Sequence, residues 1–134
     1  METKKTRRYK GAHIALDFDK TLFHHESSWG ISKIGEPIDE MVERVKHWVN
    51  LGHRITIFTA RMCPVGPRGE DRSDQPEEQK RQIQDALESI GLPRFDVTCM
   101  KLSSFTHFID DKGYHVKRNT GELWADKYLG LDNV

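Results

Sequence analysis

Apolar and polar positions alternate along the chain in blocks with different periods. The run His13-Ile14-Ala15-Leu16 sits inside a segment, 9–18, whose near-continuous apolar character predicts a buried parallel strand. Residues 22–36 keep neither a helical nor a strand period, which predicts a turn and a short flap. Ile38, Met41, Val42, Val45 and Val49 then recur at helical spacing, with Trp48 beside the stripe. Pro37 suits the first turn, Asp39 and Glu40 complement the helix dipole, and Gly52 supplies a stop. The β-rich run Ile55-Thr56-Ile57-Phe58-Thr59 predicts a second strand. A long loop rich in glycine, proline and charge follows at 62–75. A second helix opens at Pro76 after Ser73 or Asp74, buries Ile83, Ala86, Leu87 and Ile90, and ends at Gly91 and Pro93. Strands are predicted at 95–100 and 106–109. Residues 114–117 alternate like an edge strand, Asn119-Thr120-Gly121 reads as a turn, and 122–129 reads as a strand or short helix carrying Leu123, Trp124 and Leu129.

Alternating strands and helices predict an α/β domain with a mostly parallel sheet and right-handed crossovers. At 134 residues, one domain over 11–134 is expected, preceded by a basic tail at 1–10. That tail carries Lys4, Lys5, Arg7, Arg8 and Lys10 and reads as a flexible leader, with a nucleic-acid-contacting arm as the sharper alternative. Formal net charge is 0, so no overall field draws the protein to nucleic acid or membrane. The two cysteines, Cys63 and Cys99, are too few for a disulfide framework. The chain also lacks a membrane-length apolar run and a signal-peptide core, so a cytoplasmic protein is expected.

The chemistry lies at the predicted strand ends. The first strand delivers Asp17 and Asp19, the second Thr59, the third Lys101 and the fourth Asp110-Asp111. In a parallel sheet these ends share one edge, which is where open α/β sheets bind ligands. Clustered carboxylates repel one another and need positive charge nearby. They favour a hard cation, and Mg2+ takes few carboxylates together with substrate phosphate oxygens. A hydroxyl and an ammonium, those of Thr59 and Lys101, suit phosphoryl oxygens.

These residues resemble the haloacid dehalogenase superfamily of phosphohydrolases. Asp17-Phe18-Asp19-Lys20-Thr21 is similar to its first motif, Ile57-Phe58-Thr59 to its second, Lys101 to its third and Asp110-Asp111 to its fourth. The resemblance spans about His13 to Val116. It implies a three-layer, Rossmann-like fold and a Mg2+-dependent phosphomonoesterase working through an aspartyl phosphate. Asp17 would be the nucleophile and Asp19 the general acid/base. Thr59 and Lys101 would bind the phosphoryl group. The metal set would be Asp17, Asp19, Asp110 and Asp111, with Asp110 the direct ligand ahead of Asp111. Lys20 stands where the family usually has glycine.

Residues 22–36 are too short for a cap domain, so a capless, open site is expected. In the family such a site goes with large substrates: nucleic-acid ends, proteins or lipid-linked sugars. Small metabolites would enter if a second subunit of a homo-oligomer closed the site. Lys20, Arg61 and the loop 62–75, with Arg68 and Arg72, are the candidate substrate contacts. A phospho-accepting signalling receiver and a non-catalytic phosphate-binding module are the competing readings; the order of the acidic residues and the intact first motif weigh against them.

Overall fold

The computed structural model describes residues 11–123. The basic tail, the first residues of the strand predicted from 9, and Trp124 and Leu129 lie outside them. Strand β1 (His13–Leu16) leads to helix α1 (Asp39–Asn50), β2 (Arg54–Phe58), α2 (Pro76–Ser89), β3 (Asp96–Thr98) and β4 (His107–Ile109). The four strands form one all-parallel sheet in the order β3-β2-β1-β4. This is an α/β arrangement.

The order dictates where the helices go. β1 to β2 and β2 to β3 both step in the same direction, so right-handed crossovers place α1 and α2 on one face. Register puts Ile14 beside Ile55, Leu16 beside Ile57 and Ile57 beside Val97 on that face. There they join Val42 and Val45 of α1 and Ile83 and Leu87 of α2 in one buried cluster. Both helical stripes match the sequence periodicity. Pro37 does not open α1, however. It pairs with Phe23 outside the helix, because Ile38 is still extended.

The step from β3 to β4 runs the other way and crosses the opposite face. Residues 99–106 make it without a helix. Phe105 packs there against His13, Phe58 and Phe108, with ring centres 4.6, 5.9 and 5.6 Å away. Ser104 Oγ lies 3.0 Å from His13 Nδ1, and Thr56 Oγ1 lies 2.8 Å from His13 Nε2. The imidazole is buried between two strands and the crossover.

Three loops differ from their expected form. Residues 114–117 form no edge strand; Val116 pairs with Leu123 across a turn that uses Asn119 and Gly121 at positive φ. The flap contains a short 3-10 helix, Ser27–Trp29. The 62–75 loop begins with the end of another, Ala60–Met62, and then folds into a hairpin.

Burial, with Arg54 nearby, holds the His13 imidazole below its ordinary value of 6.5. A group whose folded value is depressed stabilises the fold above its unfolded value and loses that contribution as pH falls. The protein should therefore destabilise as pH drops below 6.5, and His13→Gln should flatten this part of the profile. Urea midpoints between pH 5 and pH 8 check this; parallel profiles for the two proteins would contradict it.

Candidate active site

The site is built where β1 ends. The Asp17 backbone N–H continues the ladder to Ile109 of β4 at 3.0 Å. The chain then turns sharply: Phe18 is buried, and its carbonyl accepts from Leu22 at 2.9 Å and Phe23 at 3.0 Å. Lys20 adopts a φ of 69°, in the left-handed region that glycine occupies at no steric cost. The turn thus explains why glycine is the expected residue there. The Lys20 ammonium reaches the flap and donates to Ser27 Oγ at 2.7 Å.

Asp17 is partly buried, and Thr21 donates to its Oδ2 at 3.0 Å. Its carboxyl is pushed up to about 6, first by burial and further by the facing Asp111 carboxyl; the bonds from Thr21 and the Phe18 backbone oppose the rise. Asp17 and Asp111 thus face each other in the cavity, just beyond the ends of the paired strands β1 and β4. Asp110 is used differently. Its Oδ1 accepts from the backbone N–H groups of Lys112 at 2.9 Å and Gly113 at 2.6 Å, closing the turn after β4. The approach is close at Gly113, where a Cβ would stand 3.1 Å from the same oxygen and the Asp110 side chain would have to shift slightly.

Asp19 is held by Arg61. Nε donates to Oδ2 at 2.7 Å and Nη2 to Oδ1 at 3.0 Å, a two-pronged pairing. The same guanidinium donates to the flap carbonyls of Ile31 at 3.3 Å and Lys33 at 2.6 Å, and to Gln79 Oε1 of α2 at 3.1 Å. Gln79 Nε2 in turn donates to the Ile31 carbonyl at 3.2 Å. Arg61 is 2% exposed. It lines the cavity, yet its donors are spent on Asp19, the flap and α2. Thr59 is buried, and its Oγ1 accepts from the Arg61 backbone N–H at 3.1 Å, which leaves the hydroxyl proton to donate.

An open cavity of about 740 Å3 joins these residues, taking in Asp17, Asp19, Lys20, Thr59, Asp110 and Asp111. Lys101 is not part of its lining. Strand β3 ends at Thr98, not at Met100, so Lys101 stands beyond the strand end, and its ammonium lies 5.6 Å from the Phe108 ring centre. The cationic side chains at the cavity are Lys20, Arg61, Arg72 and Lys112. Sequence reasoning passed over Lys112. His25 also lines the cavity, with Nε2 2.9 Å from the Gly30 carbonyl and 4.0 Å from Asp19 Oδ1. Nothing in the spacing of these two residues marks them.

Among the described residues, no three His, Cys, Asp or Glu side chains gather at metal-holding spacing. Two carboxylates do face each other, and that donor set fits Mg2+, which needs only one or two carboxylates beside water and substrate oxygens. Comparison with known proteins finds no matching family model, no matching curated protein and no matching solved structure.

Two outcomes follow. Arg61→Ala should destabilise the protein by about 3 kcal/mol, because it strands a partly buried carboxylate and the flap carbonyls, with Arg61→Lys recovering only part; denaturant titration measures both. Asp17 behaves oppositely. Its ordinary value is 3.8 and its folded value about 6, so ionising it costs the fold stability as pH rises through that window. In metal-free buffer Asp17→Asn should be more stable than the parent at pH 8, by about 1–3 kcal/mol, and equal to it below about pH 4. An Asn variant that is less stable at pH 8 would contradict the assigned burial cost.

Proposed function

We propose that the protein is a phosphomonoesterase of the haloacid dehalogenase type, with a three-layer Rossmann-like fold and a minimal cap. One observation carries the reading: Asp17 after β1 and Asp111 after β4 face each other at the point where the strand order reverses. Ligands of open parallel sheets bind at such a switch point, beyond the carboxyl ends of the strands.

In this reading an Asp17 oxygen attacks phosphorus while the bond to the leaving oxygen breaks. Asp19 donates a proton to that oxygen. Water then attacks the aspartyl phosphate, Asp19 accepts its proton, and inorganic phosphate leaves with Asp17 regenerated. Arg61 keeps the Asp19 carboxylate in one orientation and takes one lone pair from each oxygen, leaving others for the proton in transit. The Thr59 hydroxyl donates to a phosphoryl oxygen. Thr21 steers the attacking carboxylate through Oδ2, so the other oxygen is the one free to attack.

Asp17 and Asp111 would hold Mg2+, with Asp110 acting through the turn it closes; the ion would supply charge neutralisation on the phosphoryl oxygens. Lys101 retains its place in the motif order, while Lys20 and Lys112 stand nearer to an anionic substrate. Among the described residues no helix is long and apolar enough to cross a membrane.

The test is Mg2+-dependent release of phosphate from an aryl phosphate. Asp17→Asn should lower kcat by at least about a thousandfold, and Mg2+ should raise the Tm of the parent more than that of the variant. A parent without turnover sinks the reading, and turnover that survives in Asp17→Asn moves the nucleophile elsewhere.

A further inference from the structure

The cavity is larger than its reacting end requires. At about 740 Å3 it lies within the range that encloses a whole small ligand. A phosphoryl group would occupy only the part beside Asp17, Thr59 and Asp111. The rest is bounded by the flap and by residues 64–72.

Those residues are a built wall. Val65 pairs with Asp71, Gly66 N–H donates to the Glu70 carbonyl at 2.8 Å, and Arg72 N–H donates to the Pro64 carbonyl at 2.6 Å. Gly69, at φ 83°, turns the tip and donates to Gly66 at 3.0 Å. Val65, Pro67 and Arg72 line the cavity from this hairpin, and Phe58 at the end of β2 lines it as well. Val65 is 53% exposed. A single exposed valine is ordinary on a protein surface. This one is fixed by a closed hairpin in a cavity wall, beside a proline and an arginine. Arg72 is charge-paired with Glu70 at 3.6 Å, too long for a hydrogen bond, so among the described residues its side-chain donors remain available. Val65 and Pro67 are conformationally stiff, which gives a fixed surface. Such a surface suits a rigid ring, which loses less entropy on binding than a flexible chain.

We propose that the hairpin 64–72 is the leaving-group subsite of the cavity and takes a small phosphomonoester whose leaving group is a flat apolar ring bearing a hydrogen-bond acceptor for Arg72. The proposal rests on the phosphatase reading for its reacting end. This wall comes from the chain itself, and Val65 and Arg72 become the specificity-determining residues.

The binding test uses phosphonates, whose P–C bond resists hydrolysis, titrated calorimetrically into the full chain with Mg2+. The parent should bind phenylphosphonate about tenfold more tightly than methylphosphonate. Val65→Asp should abolish that preference and Val65→Leu should keep it. Should Val65→Asp fail to fold, Arg72→Ala carries the test, by removing the extra affinity of 4-carboxyphenylphosphonate over phenylphosphonate. Equal affinities in the parent, or a preference untouched by the variants, overturn the subsite. In turnover, kcat/KM should favour phenyl phosphate over both glycerol phosphate and a 5′-phosphorylated oligonucleotide; faster turnover of the oligonucleotide overturns the small-ligand assignment. If phosphonate discrimination appears without turnover of any ester, the phosphatase reading fails and the subsite stands.

Discussion

A guanidinium removed from water must have its donors met by acceptors, or it costs several kcal/mol. Arg61 satisfies that demand from three separate parts of the chain: Asp19 after β1, the flap carbonyls of Ile31 and Lys33, and Gln79 on α2. The rest of the candidate site depends on this one junction. It fixes Asp19, it holds the flap against the sheet edge, and it seats α2 beside the loop that leaves β2. A buried ion pair of this kind adds little net stability compared with apolar packing. What it supplies is a defined geometry at a place where the backbone has no regular structure to define one.

The strand order supplies the other half of the geometry. Two crossovers in one direction fill one face with helices. A third, in the opposite direction, is made by residues 99–106 alone. The apolar face closes over Leu16 and Ile57. The other face rests on aromatic contacts around Phe105 and on the bonds of His13 to Ser104 and Thr56. Where the two directions meet, between β1 and β4, Asp17 faces Asp111.

The fold was largely legible in the residues because its signals are local. The stripe of Val42 and Val45 and the stripe of Ile83 and Leu87 announce helices that bury one face each. The apolar run before Asp17 announces a strand buried on both sides. The strand-end logic also located Asp17, Asp19 and Thr59 at one cavity. What depends on three-dimensional detail is not legible in this way. Strand β3 stops at Thr98, two residues early, so Lys101 lies against Phe108. Asp110 and Asp111 are neighbours of identical type, and only the turn after β4 decides that the first caps backbone N–H groups while the second faces Asp17. Arg61 reads in sequence as a candidate substrate contact; its burial is a property of the flap and α2 together. The hairpin at 64–72 was hidden by the composition that makes it, since proline and glycine mark turns without saying which strands they join.

The Arg61 junction also has a dynamic consequence. The flap cannot swing away on its own, because its departure would strip acceptors from a buried guanidinium and loosen Asp19 and Gln79 with it. The flap, the carboxylate and the start of α2 therefore form one opening unit, whose members become exposed to solvent together. Backbone amides in such a unit exchange with deuterium through a common event. In this chain that event would join segments far apart in sequence, the flap at 24–36, the turn at 59–62 and the start of α2, into a single kinetic class.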